Sequence, residues 1–327
     1  MRDTSPRAPA SLALPSARTQ VRGIVFKLLS VAVFAVMAAC IKAARAEVPP
    51  GEAVFFRAAV ALVPVLAYAA WRGVMADAVA TRNLRGHAWR GVIGASAMGL
   101  SFAALGFLPL PEVIAIGFAA PLLATVLAVL LLGEVVRLYR WSAVLVGLAG
   151  VIVMVWPRLT VFGEAGAFSS GETIGALAAL VAAGLMALAQ IHVRWLTRTE
   201  PTMAIVFWFH VSCTVASLAT LPFGWVWPSA TGWALLVAAG LTGGVAQILV
   251  TESYRNADAS TLAPFDYSSM LYGLAIGFFV FGEVPSATIL LGAAIVIAAG
   301  LFILFRERRL GLIAARSATR PGMTPEG

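Results

Sequence analysis

The sequence predicts an all-α integral membrane protein whose ten transmembrane helices form two inverted five-helix repeats around a central cavity. Three observations lead to this. Hydrophobic residues make up 61% of the 327 residues and charged ones only 12%. Uncharged runs of roughly twenty residues, enough to span a hydrocarbon core of about 30 Å, recur along the chain. A stretch of the first half also recurs in the second. Backbone groups in lipid must be bonded within the segment, and no barrel-like alternation is present, so the spans are helices.

The spans follow in order from their boundaries. The first, 24–42, is apolar between Arg22 and Lys42. It exceeds the usual 7–15 residue core of a signal peptide, so "ARA" (44–46) and "MAAC" (37–40) are not read as cleavage sites. The second, 51–71, runs from Gly51 to Trp71, and the third, 89–108, opens on Trp89. The fourth, 111–132, lies between Pro111 and Gly133, and the fifth, 138–156, ends on Trp156. The second half supplies 172–194, 202–222, 232–254, 260–282 and 286–305, bounded by Trp195, Pro201, Trp233, Arg255 and Arg306. Most tryptophans thus fall at span ends or in loops, as in an interfacial aromatic belt; only Trp208 lies inside a span.

Orientation follows from lysine and arginine. Of 23 such residues, only Lys42, Arg45 and Arg158 fall in segments on the side opposite the N-terminus, and Lys27 and Arg57 lie within spans. The remainder place both termini in the cytoplasm, in the inner membrane. The net charge of +8 sits in loops and tails and does not point to nucleic acid. The two cysteines, Cys40 and Cys213, lie in apolar runs without ligand spacing, so neither a disulfide nor a metal is expected. No cofactor is implied.

Residues 112–134 superpose without a gap on 261–283, a shift of 149, and both end on "GE", Gly133-Glu134 and Gly282-Glu283. Five helices per half is an odd number, so the second half enters the membrane from the opposite side. Halves of opposite topology can exchange inward-facing and outward-facing arrangements around a site near the midplane. The organisation is a disordered tail over 1–21, a first repeat over 22–158, a second over 170–306 and a basic tail over 307–327. "RERR" (306–309) is placed against anionic headgroups.

The chain resembles the drug/metabolite transporter superfamily, in its ten-helix EamA-type branch. The residues that carry the resemblance are "FFRAAVAL" (55–62), Pro121 inside the fourth span, "LLGE" and "VFGE" closing the fourth and ninth, and glycine-rich fifth and tenth spans. The resemblance covers about 24–305. It implies a basket of helices around a cavity lined chiefly by the third, fourth, eighth and ninth, with help from the first and sixth. It leaves the substrate open among amino acids, vitamins, nucleotide-like molecules and drugs.

Asp266 is the principal candidate. A carboxylate facing lipid at a helix centre costs roughly 2.5–3.5 kcal/mol, so it should face the cavity or a partner. Its counterpart in the first repeat is Gly117, so repeat symmetry does not require it. Tyr267, Ser269, Met270 and Tyr272 follow, and helical spacing puts Asp266, Ser269, Met270 and Gly273 on one face. Gln247, Ser101 and Phe118 complete the expected lining. Arg57, a turn and a half inside the second span, either snorkels, pairs with Glu52 or attracts an anionic group. Lys27 is expected to snorkel. Pro121 and Pro264 are candidate hinges. Glu134 and Glu283 are candidate gate latches, held by an arginine such as Arg137 or Arg140, because a carboxylate at a helix C-terminus opposes the macrodipole.

The expected function is secondary transport of a small organic metabolite, amino-acid-like, drug-like or vitamin-like, by alternating access. Resemblance favours export, and the alternative is uptake of a vitamin such as riboflavin. No GxxxxGK[ST] loop is present, so ATP is not hydrolysed by this chain. An integral-membrane enzyme is the rival class, but no paired aspartates or Ser-base constellation is found. No charge ring or filter loop supports a channel. The partners expected are a small-molecule substrate and membrane lipid, with the chain a monomer or homodimer.

Overall fold

The computed structural model describes residues 17–133, 137–158 and 171–318. Among them, nine helical stretches are long and apolar enough to cross a membrane. Helices α1 (Ala17–Ala44), α2 (Pro50–Trp71) and α4 (Leu84–Leu105) supply the first three, with a short α3 (Met75–Val79) between them. The fourth is broken into α5 (Leu110–Gly117) and α6 (Ala119–Leu132), and α7 (Leu138–Val155) closes the first half. Helices α8 (Gly171–Leu196), α9 (Thr202–Ser217) and α10 (Ala230–Asn256) follow, and α13 (Ala287–Ala318) ends the described chain.

The expected ninth span, 260–282, is not a single helix. It comprises α11 (Ala259–Leu262), a 3-10 turn over Ala263–Tyr267 and the 14-residue α12 (Ser268–Phe281). Pro264 has no N–H to give the preceding turn, so the chain tightens there. Pro121 acts similarly in the first half: it cannot bond the carbonyl of Gly117, and α5 gives way to α6 at Phe118. The 149-residue shift carries Phe118 onto Tyr267, and the two rings meet edge to face at 5.3 Å. It also carries Gly133 onto Gly282, which end α6 and α12 in the left-handed conformation at φ 65° and 66°.

Helix also reaches into both segments expected to be tails, since α1 starts at Ala17 and α13 runs to Ala318. The third membrane helix starts earlier than its apolar run, because the Asn83 side chain caps it by accepting the Gly86 N–H at 2.9 Å.

Helix α1 packs on α10 and α4 on α8; α2 packs on α10 and α9 on α4; α1 packs on α12 and α8 on α6. Helix α7 packs on α13 so closely that a Cβ at Gly150 would lie 2.9 Å from the Gly292 carbonyl oxygen. Many of the largest wholly buried side chains, including Ile41, Leu108, Leu110, Met154, Leu236 and Ile289, lie towards the end of the bundle where α1 finishes. The two larger cavities described here lie in the other half.

Candidate functional site

The larger cavity, about 770 Å³, lies in the half of the bundle nearer the start of α1. Helix α1 contributes Lys27, Val31 and Phe34; the α5–α6 break contributes Gly117, Phe118 and Pro121; α8 contributes Met186 and Gln190. The 3-10 turn and the start of α12 supply Asp266, Tyr267 and Ser269. The first, fourth, sixth and ninth membrane segments therefore dominate the lining. The third and eighth, which the resemblance ranked among the chief contributors, give Arg90 and Tyr254.

Asp266 lines this cavity, as expected, but it has a partner that sequence reasoning missed. Lys27 Nζ lies 2.6 Å from its Oδ1, and 5.2 Å from the centre of the Tyr254 ring. The Lys27 side chain is only 4% exposed, whereas that of Asp266 is 51% exposed. Lys27 thus does not snorkel: its stem runs into the protein because a carboxylate is available there and lipid offers none. The expected single face from Asp266 to Gly273 is also corrected. Regular helix begins only at Ser268, so the i, i+4 rule does not reach back to Asp266. Met270 is buried in the core, and Tyr272 lines none of the cavities described here.

A second cavity, about 620 Å³, shares Arg90, Val193 and Tyr254 with the first. Gln247 lies here with Thr251, Phe209 and Tyr68. Tyr68 hydrogen-bonds the Glu252 carboxylate, which also pairs with Arg255 at 2.9 Å. Ser101 lines a small void of about 80 Å³ that shares Gly117, Ala120 and Met186 with the larger cavity.

Arg57 is 4% exposed and neither snorkels nor pairs with Glu52. Its Nε donates to Met37 Sδ at 3.4 Å, while Glu52 accepts the Val226 N–H at 3.0 Å. The sequence spacing of Arg57 and Glu52 was suggestive, but Glu52 is turned to the loop before α10. His210 is buried, with Nδ1 against its own helix at the Val206 carbonyl. Among the described residues no group of His, Cys, Asp and Glu could hold a metal ion.

At the opposite end of the bundle, Glu283 ties the end of α12 to α1 and α5. Lys42 Nζ lies 2.7 Å from its Oε1 and donates to the carbonyl of Leu108 at 2.9 Å. Glu283 Oε2 accepts the Leu110 N–H at 2.8 Å, at the first turn of α5. The partner is therefore a lysine, not an arginine. The unfavourable position at the end of α12 is offset by a favourable one at the start of α5, where the macrodipole attracts an anion. Gly282 makes this possible: its left-handed turn lets the Glu283 N–H bond the Gly277 carbonyl at 2.8 Å and aims the carboxylate back across the bundle. Gly282→Ala should therefore lower thermal stability by about 1 kcal/mol, and Gly282→Val by more. A melting temperature unchanged in Gly282→Val would show that the turn does not hold the contact. Glu134, the other expected latch, lies outside the described residues.

Sequence reasoning flagged Gln247 but missed Gln190, the pairing of Lys27 and the inward placement of Arg90. Arg90, at the very start of the expected third span, had been counted with the cytoplasmic basic residues; Asn83, as an N-cap, was the signal that sets it well inside a helix.

The EamA-like transporter family model matches residues 21–156 and 173–305. The pseudopaline exporter CntI of Pseudomonas aeruginosa is 27% identical over 85% of this chain and 94% of its own length. The S-adenosylmethionine uptake transporter of Rickettsia prowazekii is 25% identical over 89% and 95%. A riboflavin transporter of Rhizobium johnstonii is 30% identical over 68% and 71%. A solved crystal structure superposes with a TM-score of 0.62 at 21% identity, covering 88% of this chain and 98% of that one, which supports the fold.

Proposed function

Because the chain belongs to the EamA-like transporter family, we propose that it carries a small organic metabolite across the inner membrane by alternating access, using two inverted five-helix repeats. The chain is a small-molecule transporter; its mechanism, direction and residue roles are inferred. The observation that carries the mechanism is the asymmetry of the bundle. One half contains two large cavities that share a wall, and the other is bridged by Lys42 and Glu283. That is the arrangement of one end state of an alternating-access cycle.

The inverted repeat is supported by packing. Exchanging the two halves turns the contact of α1 with α10 into that of α8 with α4, and that of α2 with α10 into that of α9 with α4. The same exchange maps α1 on α12 onto α8 on α6. With the arginine-rich segments and both termini in the cytoplasm, the cavities face inward. Asp266 presents its free oxygen to the larger cavity beside Tyr267, Phe118 and Ser269, where a polar substrate group competes with or adds to Lys27. Gln247 lines the adjoining vestibule, Pro121 and Pro264 mark the hinges, and Glu283 latches the outer side.

Cytoplasmic-facing cavities in the resting state suit loading for export, and the exporter among the relatives points the same way. The uptake reading is favoured by the S-adenosylmethionine uptake transporter among the relatives. Counterflow in proteoliposomes containing the purified full chain distinguishes them. Vesicles loaded with pseudopaline, S-adenosylmethionine or riboflavin should exchange at least one of these with external label, and oriented vesicles then give the direction. If right-side-out vesicles accumulate the exchanged compound but inside-out vesicles do not, export is wrong.

A further inference from the structure

Lys27 and Lys42, both inside the protein, each hold a carboxylate, whereas Arg57 and Arg90 hold none within ion-pair distance. Arg57 is almost wholly buried and its Nη1 has no hydrogen-bond partner. Arg90, on the wall shared by both large cavities, lays its guanidinium 4.2 Å from the centre of the Phe209 ring, and its Nε has no partner either. The two arginines are close enough to repel one another, and His210 lies in the field of both. Phe209, His210, Cys213 and Met37 lie against them or in their field, and the carboxylates that share the cavity walls, Asp266 and Asp77, lie beyond ion-pair distance.

A guanidinium without a counterion is costly in a low-dielectric interior. The packing nevertheless makes room for them. A Cβ at Gly94 would lie 2.7 Å from Arg90 Nη1, and one at Gly243 would lie 3.1 Å from Arg57 Nε. Uncompensated charge that is kept and given space at a cavity wall is charge reserved for a ligand.

Resting on the transport reading above, we infer that the transported molecule is an organic anion whose carboxylate or phosphate docks on Arg90, with Arg57 adding positive potential behind it. The guanidinium fork matches either group with two parallel hydrogen bonds. Phe34, Phe118 and Tyr267 in the larger cavity take the apolar body of the ligand.

The test uses purified full-length protein, with benzoate, phenyl phosphate and benzyl alcohol as probes at matched ionic strength. At least one anion should raise the melting temperature by about 2 °C or more, while benzyl alcohol should not; which anion does so names carboxylate or phosphate. In Arg90→Met the response should vanish, and in Arg90→Lys part of it should remain. Without ligand, Arg90→Met and Arg57→Met should melt at or above the wild-type temperature, because an unpaired charge has been removed. The inference is overturned if benzyl alcohol works equally well, if neither anion acts, if the response survives Arg90→Met, or if both ligand-free Met variants melt well below wild type. Counterflow separates the two readings: carriage of uncharged compounds alone would discard the anion site and leave transport standing.

Discussion

Asp266→Asn is expected to abolish counterflow and to destabilise the protein, and the two effects should separate in a double-mutant cycle. Removing the carboxylate strands Lys27, whose side chain is 4% exposed and retains only the face of Tyr254. Breaking a buried pair by removing one partner costs about 3–5 kcal/mol. Water around the half-exposed Asp266 screens part of that, so about 1–3 kcal/mol is expected. Lys27→Met leaves the more exposed partner unpaired and should cost less. The double variant Lys27→Met/Asp266→Leu replaces both charges and should recover most of the stability, as buried pairs replaced by apolar residues do. It should not recover transport, because the cavity has lost its only acidic wall residue among those described. Wild-type flux through the double variant would reduce Asp266 and Lys27 to a structural pair.

Glu283→Gln is expected to open the opposite end. The carboxylate accepts from two donors there, the Lys42 ammonium and the Leu110 N–H, and the amide has one acceptor oxygen, so it keeps one of the two and turns its NH2 against the other. A charge-assisted hydrogen bond contributes about 1.5–3 kcal/mol, so the ratio of closed to open forms should fall by about tenfold or more. Distances between spin labels on the ends of α1 and α12 would report this as a longer, broader distribution. The charge-reversed pair Lys42→Glu/Glu283→Lys should not restore closure. It sets a carboxylate against the carbonyls of Leu105 and Leu108 and an ammonium against the Leu110 N–H. Full rescue by the reversed pair would show that charge alone closes this end and that the backbone contacts are incidental.

The helices and the paired features of the two halves were legible because they depend on local composition. Apolar run length marks spans, and proline or glycine at the same offset marks the same backbone event; Pro121 and Pro264 lie near the breaks, and Gly133 and Gly282 both close helices left-handed. What proline does at a break was not legible, since a bent helix and a 3-10 turn are similar in local cost. That difference moved Met270 into the core and left Asp266 half exposed. The pairings were less legible still. Lys27 and Asp266, like Lys42 and Glu283, meet only because α1 packs on α12 and the turn before it, and no spacing rule connects them. Arg90 was missed for a different reason: counting arginines by side treats any one near a boundary as loop. Asn83 moves that boundary by more than a turn.

The central claim is that one cavity is reached from alternate sides. Ser269 lines the larger cavity, and its hydroxyl donates to the Asp266 carbonyl at 2.7 Å, so a cysteine there reports on the site itself. With Cys40 and Cys213 replaced by serine, Ser269→Cys can be labelled with an impermeant maleimide in right-side-out and inside-out vesicles. The account predicts rapid labelling from the cytoplasmic side alone while Glu283 is intact, and labelling from both sides once Glu283→Gln is added. Labelling confined to the cytoplasmic side in both proteins, or to the outer side in either, would contradict it.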